Sequence, residues 1–207
     1  MENLIYNLKS YLEKLDSYRD KILFIFIKPY WPRKIIPNHI TYVRVVISII
    51  LFVLLFIFGI KDKTLILSLF IIGVVTDLID GPVARGTNKV TELGAMLDST
   101  SDRILIIPIA VYALIKFHIW LLAILILVEI ANGITALYYK SKEIYLESNI
   151  FGKIKMVLMC VVFIVILVIW PNPPPMFFIY ILWLTIPLSF LGALVMILEL
   201  GKRKVNF

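Results

Sequence analysis

Six apolar stretches make up most of this chain, and each is close to the length of a helix that crosses a lipid bilayer. Crossing the hydrocarbon core takes about 20 apolar residues in a helix. Hydrophobic residues form 61% of the 207-residue chain, against roughly 45–50% in soluble domains. The chain is therefore predicted to be an all-α integral membrane protein, whose six transmembrane helices lie within residues 37–200. The stretches lie near 40–60, 64–85, 93–115, 118–139, 154–170 and 176–199.

Residues 1–36 precede the first predicted span and show a different pattern. Apolar residues recur there at helical spacing, while the charged residues fall largely elsewhere around the helix. This pattern predicts an amphipathic helix lying in the membrane interface, and the alternative is a helix packed on a neighbouring subunit. The apolar positions are Leu4, Ile5, Leu8, Tyr11, Leu12, Leu15, Tyr18 and Ile22. At the other end of the chain, residues 201–207 form a basic tail.

The basic residues predict how the chain crosses the membrane. The net charge is +7, and all of the 21 Lys and Arg residues except Lys61, Lys63 and Lys116 fall on one side of the six predicted spans. Because basic residues concentrate on the cytoplasmic side, both termini are expected in the cytoplasm, with the protein in the cell membrane. A basic membrane protein more often meets anionic lipid than nucleic acid, so no nucleic-acid partner is expected.

Four aspartates lie where the second and third predicted spans face each other. Asp77 and Asp80 are three residues apart, and Asp98 and Asp102 are four apart, so each pair projects from one helix face. Carboxylate oxygens without nearby His or Cys suit hard divalent ions such as Mg²⁺ or Mn²⁺. Two such ions would bring the four carboxylates close to neutrality. The pattern therefore predicts a metal site at the cytoplasmic edge of the membrane.

The aspartates belong to a longer pattern, D-x₂-D-G-x₂-A-R-x₈-G-x₃-D-x₃-D, between Asp77 and Asp102. It resembles the signature of the class I CDP-alcohol phosphotransferase (CDP-alcohol phosphatidyltransferase) family at every fixed position. The resemblance implies an enzyme of phospholipid biosynthesis, which transfers a phosphatidyl group from a CDP-linked lipid to a small alcohol and releases CMP. It also implies a homodimer.

The resemblance also implies roles for individual residues. The four aspartates would bind two divalent ions, and Asp102 would also be the general base. The CDP-linked lipid would contact residues between the two aspartate pairs, namely Gly81, Ala84, Arg85, Thr91 and Gly94. From the residues alone, the two glycines equally favour close helix packing. Arg85 suits a phosphate, and its alternative role is an interfacial anchor.

A second element, P-N-H-I-T-Y-V-R at 37–44, resembles the P-N-x-x-T-x-x-R element that precedes the first span in many members. There the Asn and Thr positions contact the cytidine end of the donor. The resemblance thus assigns Asn38 and Thr41 to the donor site. The alternative is that these residues cap the first helix.

The acceptor alcohol is less well specified. The G-K-I-K run at 152–155 is similar to a segment of phosphatidylglycerophosphate synthases. The nearby cations suit an acceptor with its own phosphate, although cytoplasmic lysines also serve as orientation signals. Glu129 lies far from the ends of its span, so it either lines the acceptor cavity or is a hydrogen-bonded packing residue. The candidate acceptor contacts are Arg103, Glu129, Lys140, Lys142, Lys153 and Lys155.

The segment around Glu129 departs from the glycerophosphate-using branch, because it lacks the arginines that commonly flank that glutamate. The residues after Asp98 read S-T-S-D-R rather than P-L-A-D-K. We favour glycerol 3-phosphate, with an inositol phosphate or another alcohol as the alternative. A cation transporter would also explain intramembrane aspartates, but it gives no reason for the G-x₂-A-R residues.

Overall fold

The computed structural model describes residues 2–31, 37–87, 92–141 and 150–205, and these ranges are helical apart from short connections. An N-terminal helix precedes six further helices in the described part of the chain. The first of these six helices continues as a π-helical turn over Val53–Ile57. In chain order the helices are α1 Glu2–Ile27, α2 Pro37–Phe52, α3 Lys63–Gly86, α4 Glu92–Leu114, α5 Ile119–Ser141, α6 Ile150–Ile169 and α7 Met176–Val205.

Helices α2 to α7 coincide in position with the six predicted spans. Four of them have described segments long and apolar enough to cross a membrane: α2 with its π-helical turn, α3, α6 and α7. The apolar segment of α5, Ile119–Thr135, is shorter, and α4 carries the charged residues of the acidic pattern in its first half. The chain is therefore an all-helical membrane protein, while six complete crossings remain a prediction.

The helices enclose one large hydrophobic cluster. Helix α2 packs between α3 and α4, and α6 packs against α7 while also contacting α3 and α4. The cluster includes Leu51, Phe70, Leu105 and Phe163, which are all fully buried. The outer surface is also apolar, since large apolar side chains on each of the helices α2 to α7 are exposed. A bundle that is apolar inside and outside is expected when lipid is the solvent.

Helix α1 packs against α3 and α6 with a face that combines acidic and apolar side chains, among them Leu12. Asp16, Asp20 and Phe24 follow at intervals of four residues and so share one face. Apolar side chains on the opposite face are exposed, namely Tyr11, Leu15, Tyr18, Ile22 and Phe26. The amphipathic pattern thus directs acidic groups to the protein and leaves an outward apolar stripe. That this stripe lies in the membrane interface stays a prediction.

Candidate active site around Arg44

Three of the four predicted aspartates meet at a single arginine. Asp77 and Asp80 lie one turn apart on α3, and Asp102 lies on α4. The Nη1 atom of Arg44, on α2, is 3.0 Å from Asp77 Oδ1 and 2.5 Å from Asp102 Oδ1. Its Nη2 atom forms an ion pair with Asp80 Oδ2. The cluster therefore joins α2, α3 and α4 at one point.

Arg44 has none of its surface exposed. A buried charge is tolerated only when it is paired and hydrogen-bonded, and the planar guanidinium fork suits several carboxylates at once. Arg44 also donates from Nη1 to Ser101 Oγ (3.1 Å) and from Nε to Thr76 Oγ1 (3.4 Å). These bonds satisfy the guanidinium on more than one side and fix its orientation.

Thr41, one of the two predicted cytidine contacts, lies directly beside this cluster. It is buried, and its hydroxyl donates to Asp80 Oδ2 at 3.4 Å. Helix α2 begins at Pro37, so Thr41 lies inside the helix and does not cap it. Asn38 lies in the first turn of α2, and its side chain is not described.

Arg44 was not predicted as a member of the site and was counted only among the basic residues that indicate orientation in the membrane. The available signal was its position as the last residue of the P-N-H-I-T-Y-V-R element. Several predicted residues cannot be compared with the structure. Thr91 and Lys142 lie outside the described residues. Gly94, Asp98 and Lys140 lie in described helices, but their burial and contacts are not described.

The cluster suits a divalent cation in its chemistry. Its donors are carboxylate oxygens, and among the described side chains the carboxylates of Asp77, Asp80 and Asp102 meet the guanidinium of Arg44. Oxygen donors of this kind suit Mg²⁺ or Mn²⁺. Among the described residues, however, no three acidic, His or Cys side chains are arranged to hold a metal ion. The Arg44 guanidinium lies between the carboxylates, so a metal ion would require that side chain to shift.

Arg85 and Gly81 form one unit at the end of α3. A Cβ atom on Gly81 would lie 3.0 Å from Arg85 Nη2, so the glycine leaves space for the folded-back guanidinium. The sequence left ligand contact and helix packing open as roles for Gly81, and the structure adds this third role. Arg85 Nη2 forms an ion pair with Asp20 of α1, and 47% of the Arg85 side chain is exposed. Ala84, beside it, is partly buried.

A second polar cluster lies among α4, α5, α6 and α7. Lys155 Nζ is 2.5 Å from Glu129 Oε1 and donates to Ser189 Oγ at 3.4 Å. Arg103 Nε lies 3.5 Å from Glu129 Oε2, and Asn132 Nδ2 donates to Ser189 Oγ at 2.7 Å. Glu129, Lys155 and Ser189 are buried. Because Arg103 directly follows Asp102, this cluster adjoins the first one.

The structure therefore brings together three of the predicted acceptor residues and adds Ser189, for which the sequence offered no signal. Lys153 instead forms an ion pair with Asp16 of α1. Burial alone would raise the pKa of Asp16, but the hydrogen bond and charge of Lys153, with Arg19 and Arg85 nearby, hold that pKa below its ordinary value. Asp16 is thus charged at neutral pH and attaches α1 to α6.

Comparison with known proteins identifies the same family as the sequence pattern. The model of the CDP-alcohol phosphatidyltransferase family matches residues 34–191. A CDP-diacylglycerol–glycerol-3-phosphate 3-phosphatidyltransferase of Rickettsia typhi is 30% identical over 86 residues, which cover 42% of this chain and 48% of the relative. A protein of the same name from Sodalis glossinidius is 34% identical over 127 residues, covering 58% of this chain and 69% of the relative.

A third relative differs in its named acceptor. It is a probable CDP-diacylglycerol–inositol 3-phosphatidyltransferase of Arabidopsis thaliana, 38% identical over 69 residues, which cover 33% of this chain and 29% of the relative. The chain spans about half the length of the rickettsial relative. No solved structure matches the chain. Because the family model covers most of the chain, including Arg44 and all four aspartates, the chain belongs to the CDP-alcohol phosphatidyltransferase family.

Proposed function

We propose that this protein transfers a phosphatidyl or related lipid-phosphate group from a CDP-linked lipid to a small alcohol, releasing CMP. The observation that carries the proposal is the convergence of Asp77, Asp80 and Asp102 from two helices on one buried point. Family membership supplies the reaction class. The polar cluster around Glu129 adjoins this point and would contact the second substrate.

The donor would lie between the aspartates and Arg85. Arg85 has a partly exposed side chain, and its guanidinium suits a diphosphate oxygen because the planar fork matches phosphate geometry. Thr41 reaches Asp80 from α2 and would orient the nucleotide end together with Asn38. The remaining donor contacts would come from Gly81, Ala84, Thr91 and Gly94.

We further propose two divalent ions, Mg²⁺ or Mn²⁺, held by Asp77, Asp80, Asp98 and Asp102. When bound, such ions offset the negative charge of a diphosphate and of a leaving CMP. The all-oxygen donor set supports this assignment. Arg44 would shift to admit the ions and would stay beside the aspartates that surround it in the structure.

Asp102 would act as the general base. The alcohol hydroxyl would give its proton to the Asp102 carboxylate as its oxygen forms a bond to the lipid-linked phosphorus. The bond from that phosphorus to the CMP oxygen would break, and CMP would leave with its electron pair. For this step Asp102 must exchange its contact with Arg44 for one with the hydroxyl. Arg44 would keep its pairs with Asp77 and Asp80.

The acceptor would lie against Arg103 and Lys155, whose charges favour an alcohol that carries its own phosphate. Glycerol 3-phosphate is the acceptor we favour, in agreement with the names of two relatives. An inositol-type acceptor is the alternative, because one relative carries that name. Lys140, Lys142 and Lys153 would attract the phosphate from the surrounding surface.

We also propose where the protein lies in the cell. The protein would cross the cell membrane six times, with both termini and the active site on the cytoplasmic side. Helix α1 would lie in the interface, with its exposed apolar stripe against lipid. The protein would function as a homodimer, as the family resemblance implies.

The reaction is tested by CMP release from purified protein in lipid nanodiscs. CDP-diacylglycerol and Mg²⁺ are supplied with glycerol 3-phosphate, inositol 1-phosphate, inositol or serine, each in a separate reaction. We expect CMP release with one phosphorylated alcohol, its loss in excess EDTA, and its return with Mg²⁺ or Mn²⁺. An ether-linked CDP-lipid tests the donor tail in parallel. Absence of CMP with every alcohol and both donors, together with cation flux in liposomes, would contradict the proposal.

A further inference from the structure

Arg85 owes its position to a residue of the N-terminal helix. Its Nη2 atom forms an ion pair with Oδ2 of Asp20, although 65 residues separate them in the chain. Asp20 is 5% exposed, whereas 47% of the Arg85 side chain is exposed. The carboxylate is therefore the fixed partner, and the arginine keeps much of its surface available for a ligand.

Neighbouring contacts hold Asp20 itself in place. Its Oδ1 atom accepts hydrogen bonds from Arg19 Nε (3.2 Å) and Nη2 (2.8 Å). One turn before, Asp16 pairs with Lys153 of α6. One turn after, the Phe24 ring lies where a Cβ atom on Gly86 would be, and Gly86 directly follows Arg85. Helix α1 thus contacts the chain on three successive turns, and Asp20 is the central contact.

Fixing an arginine before its ligand arrives has a predictable effect on binding. Each freely rotating long side chain that a ligand must immobilise costs roughly 0.5–1.5 kcal/mol of binding free energy. The ion pair with Asp20 and the folded-back position over Gly81 together restrict the orientation of the Arg85 guanidinium. Ligand binding then loses less free energy to ordering Arg85, because this side chain is already partly ordered in the free protein. Asp20 uses one edge of the guanidinium and leaves the remaining donors for another anion.

We propose that Asp20 is a positioning residue for the donor substrate, which holds Arg85 in the orientation that binds the diphosphate of the CDP-linked lipid. The inference rests on the proposed function, because it assigns the ligand of Arg85 by that reaction. Asp20 lies outside residues 34–191, the part matched by the family model. The N-terminal helix would therefore contribute to the active site as well as to the proposed membrane attachment.

The test is the kinetics of Asp20→Asn, which keeps the shape of the side chain and removes its charge. We expect the KM for CDP-diacylglycerol to rise roughly three- to tenfold, the range for immobilising one long side chain. The inhibition constant of free CDP should rise by a similar factor, while kcat and the KM for the alcohol change by less than about twofold. Asp20→Glu should recover part of the donor affinity.

Asp62→Asn is the matched control, since Asp62 caps α3 at its other end and Asn caps nearly as well. It should leave the donor KM unchanged. An unchanged or lowered donor KM in Asp20→Asn would overturn the inference, and so would an equal rise for both substrates. If Asp20→Asn fails to fold, Asp20→Glu is measured instead: it should raise the donor KM by a smaller factor with kcat unchanged, and an equal rise in KM for both substrates would overturn the inference. CMP release by the unmodified protein shows separately whether the proposed reaction holds.

Discussion

Arg44 Nη1 on α2 lies 2.5 Å from Oδ1 of Asp102 on α4, although the two residues are 58 positions apart in the chain. The same guanidinium contacts both aspartates of α3. A buried cation thus holds the acidic groups of two helices together before any substrate is present. The contact ties the stability of the bundle to the geometry of its candidate active site.

Replacing Arg44 with methionine should destabilise the protein strongly. The substitution leaves Asp77, Asp80 and Asp102 close together without their shared counter-charge, and breaking a buried ion pair from one side typically costs about 3–5 kcal/mol. Unfolding can be followed with a thiol-reactive dye, because Cys160 is the one cysteine of the chain and is buried. We expect a clearly lower melting temperature in detergent.

The double variant Arg44→Met/Asp80→Asn provides the control. Removing one excess negative charge should recover part of the lost stability, so the two effects should not add. Arg44→Lys should lie between the wild type and Arg44→Met, since one ammonium group cannot contact all three carboxylates as the fork does. Strictly additive losses would show that the pairs contribute little to stability.

Asp102→Asn should reduce kcat by at least about 100-fold, the lower range for loss of a general base. The amide cannot take the proton of the alcohol, yet it can still accept a hydrogen bond from Arg44. Asp77, Asp80 and Asp98 would still hold divalent ions, so donor binding should change much less than kcat, which the inhibition constant of CDP reports. Substantial remaining turnover would remove Asp102 from the role of base.

The helices were predictable because bilayer thickness fixes how long an apolar stretch must be. Each predicted span coincides with one of the helices α2 to α7, with end points that differ by a few residues. The first span was placed from residue 40, whereas α2 begins at Pro37. A proline fits there, because the first turn of a helix needs no N–H donor from it.

The site was predictable only where its residues are close in the chain. Helical spacing places Asp77 beside Asp80, but it does not show that Arg44 from another helix lies between them. Ser189 is a similar case, since its contacts with Lys155 and Asn132 depend on how α5, α6 and α7 pack. The ion pair between Asp20 and Arg85 was not predictable either, because the helical pattern of α1 indicates only which face is apolar. Contacts between residues on different helices can be identified only from the folded structure.

Lys155→Met should raise the KM for a phosphorylated alcohol by about 10- to 100-fold, the range for one hydrogen bond to a charged group. The donor KM should stay within about twofold, because Lys155 belongs to the cluster around Glu129. Glu129→Gln should be introduced with it, to avoid leaving a carboxylate buried beside Arg103 alone. An equal loss with unphosphorylated inositol would contradict phosphate recognition by this lysine.

Gly86→Ala should detach α1 from the end of α3. A Cβ atom at residue 86 would lie 2.4 Å from Cγ of Phe24, near the base of the ring, so the ring cannot simply rotate away. Forcing extra volume into a packed contact costs roughly 1–3 kcal/mol. We expect faster protease cleavage within α1 and a higher donor KM through the loss of the Asp20 contact.

Two further variants serve as controls. Adding Phe24→Ala to Gly86→Ala should restore protection against the protease. Gly152→Ala should not increase cleavage, because a Cβ atom on this helical glycine would have nothing within 4 Å. Protection equal to the wild type in Gly86→Ala would show that α1 is held without this contact.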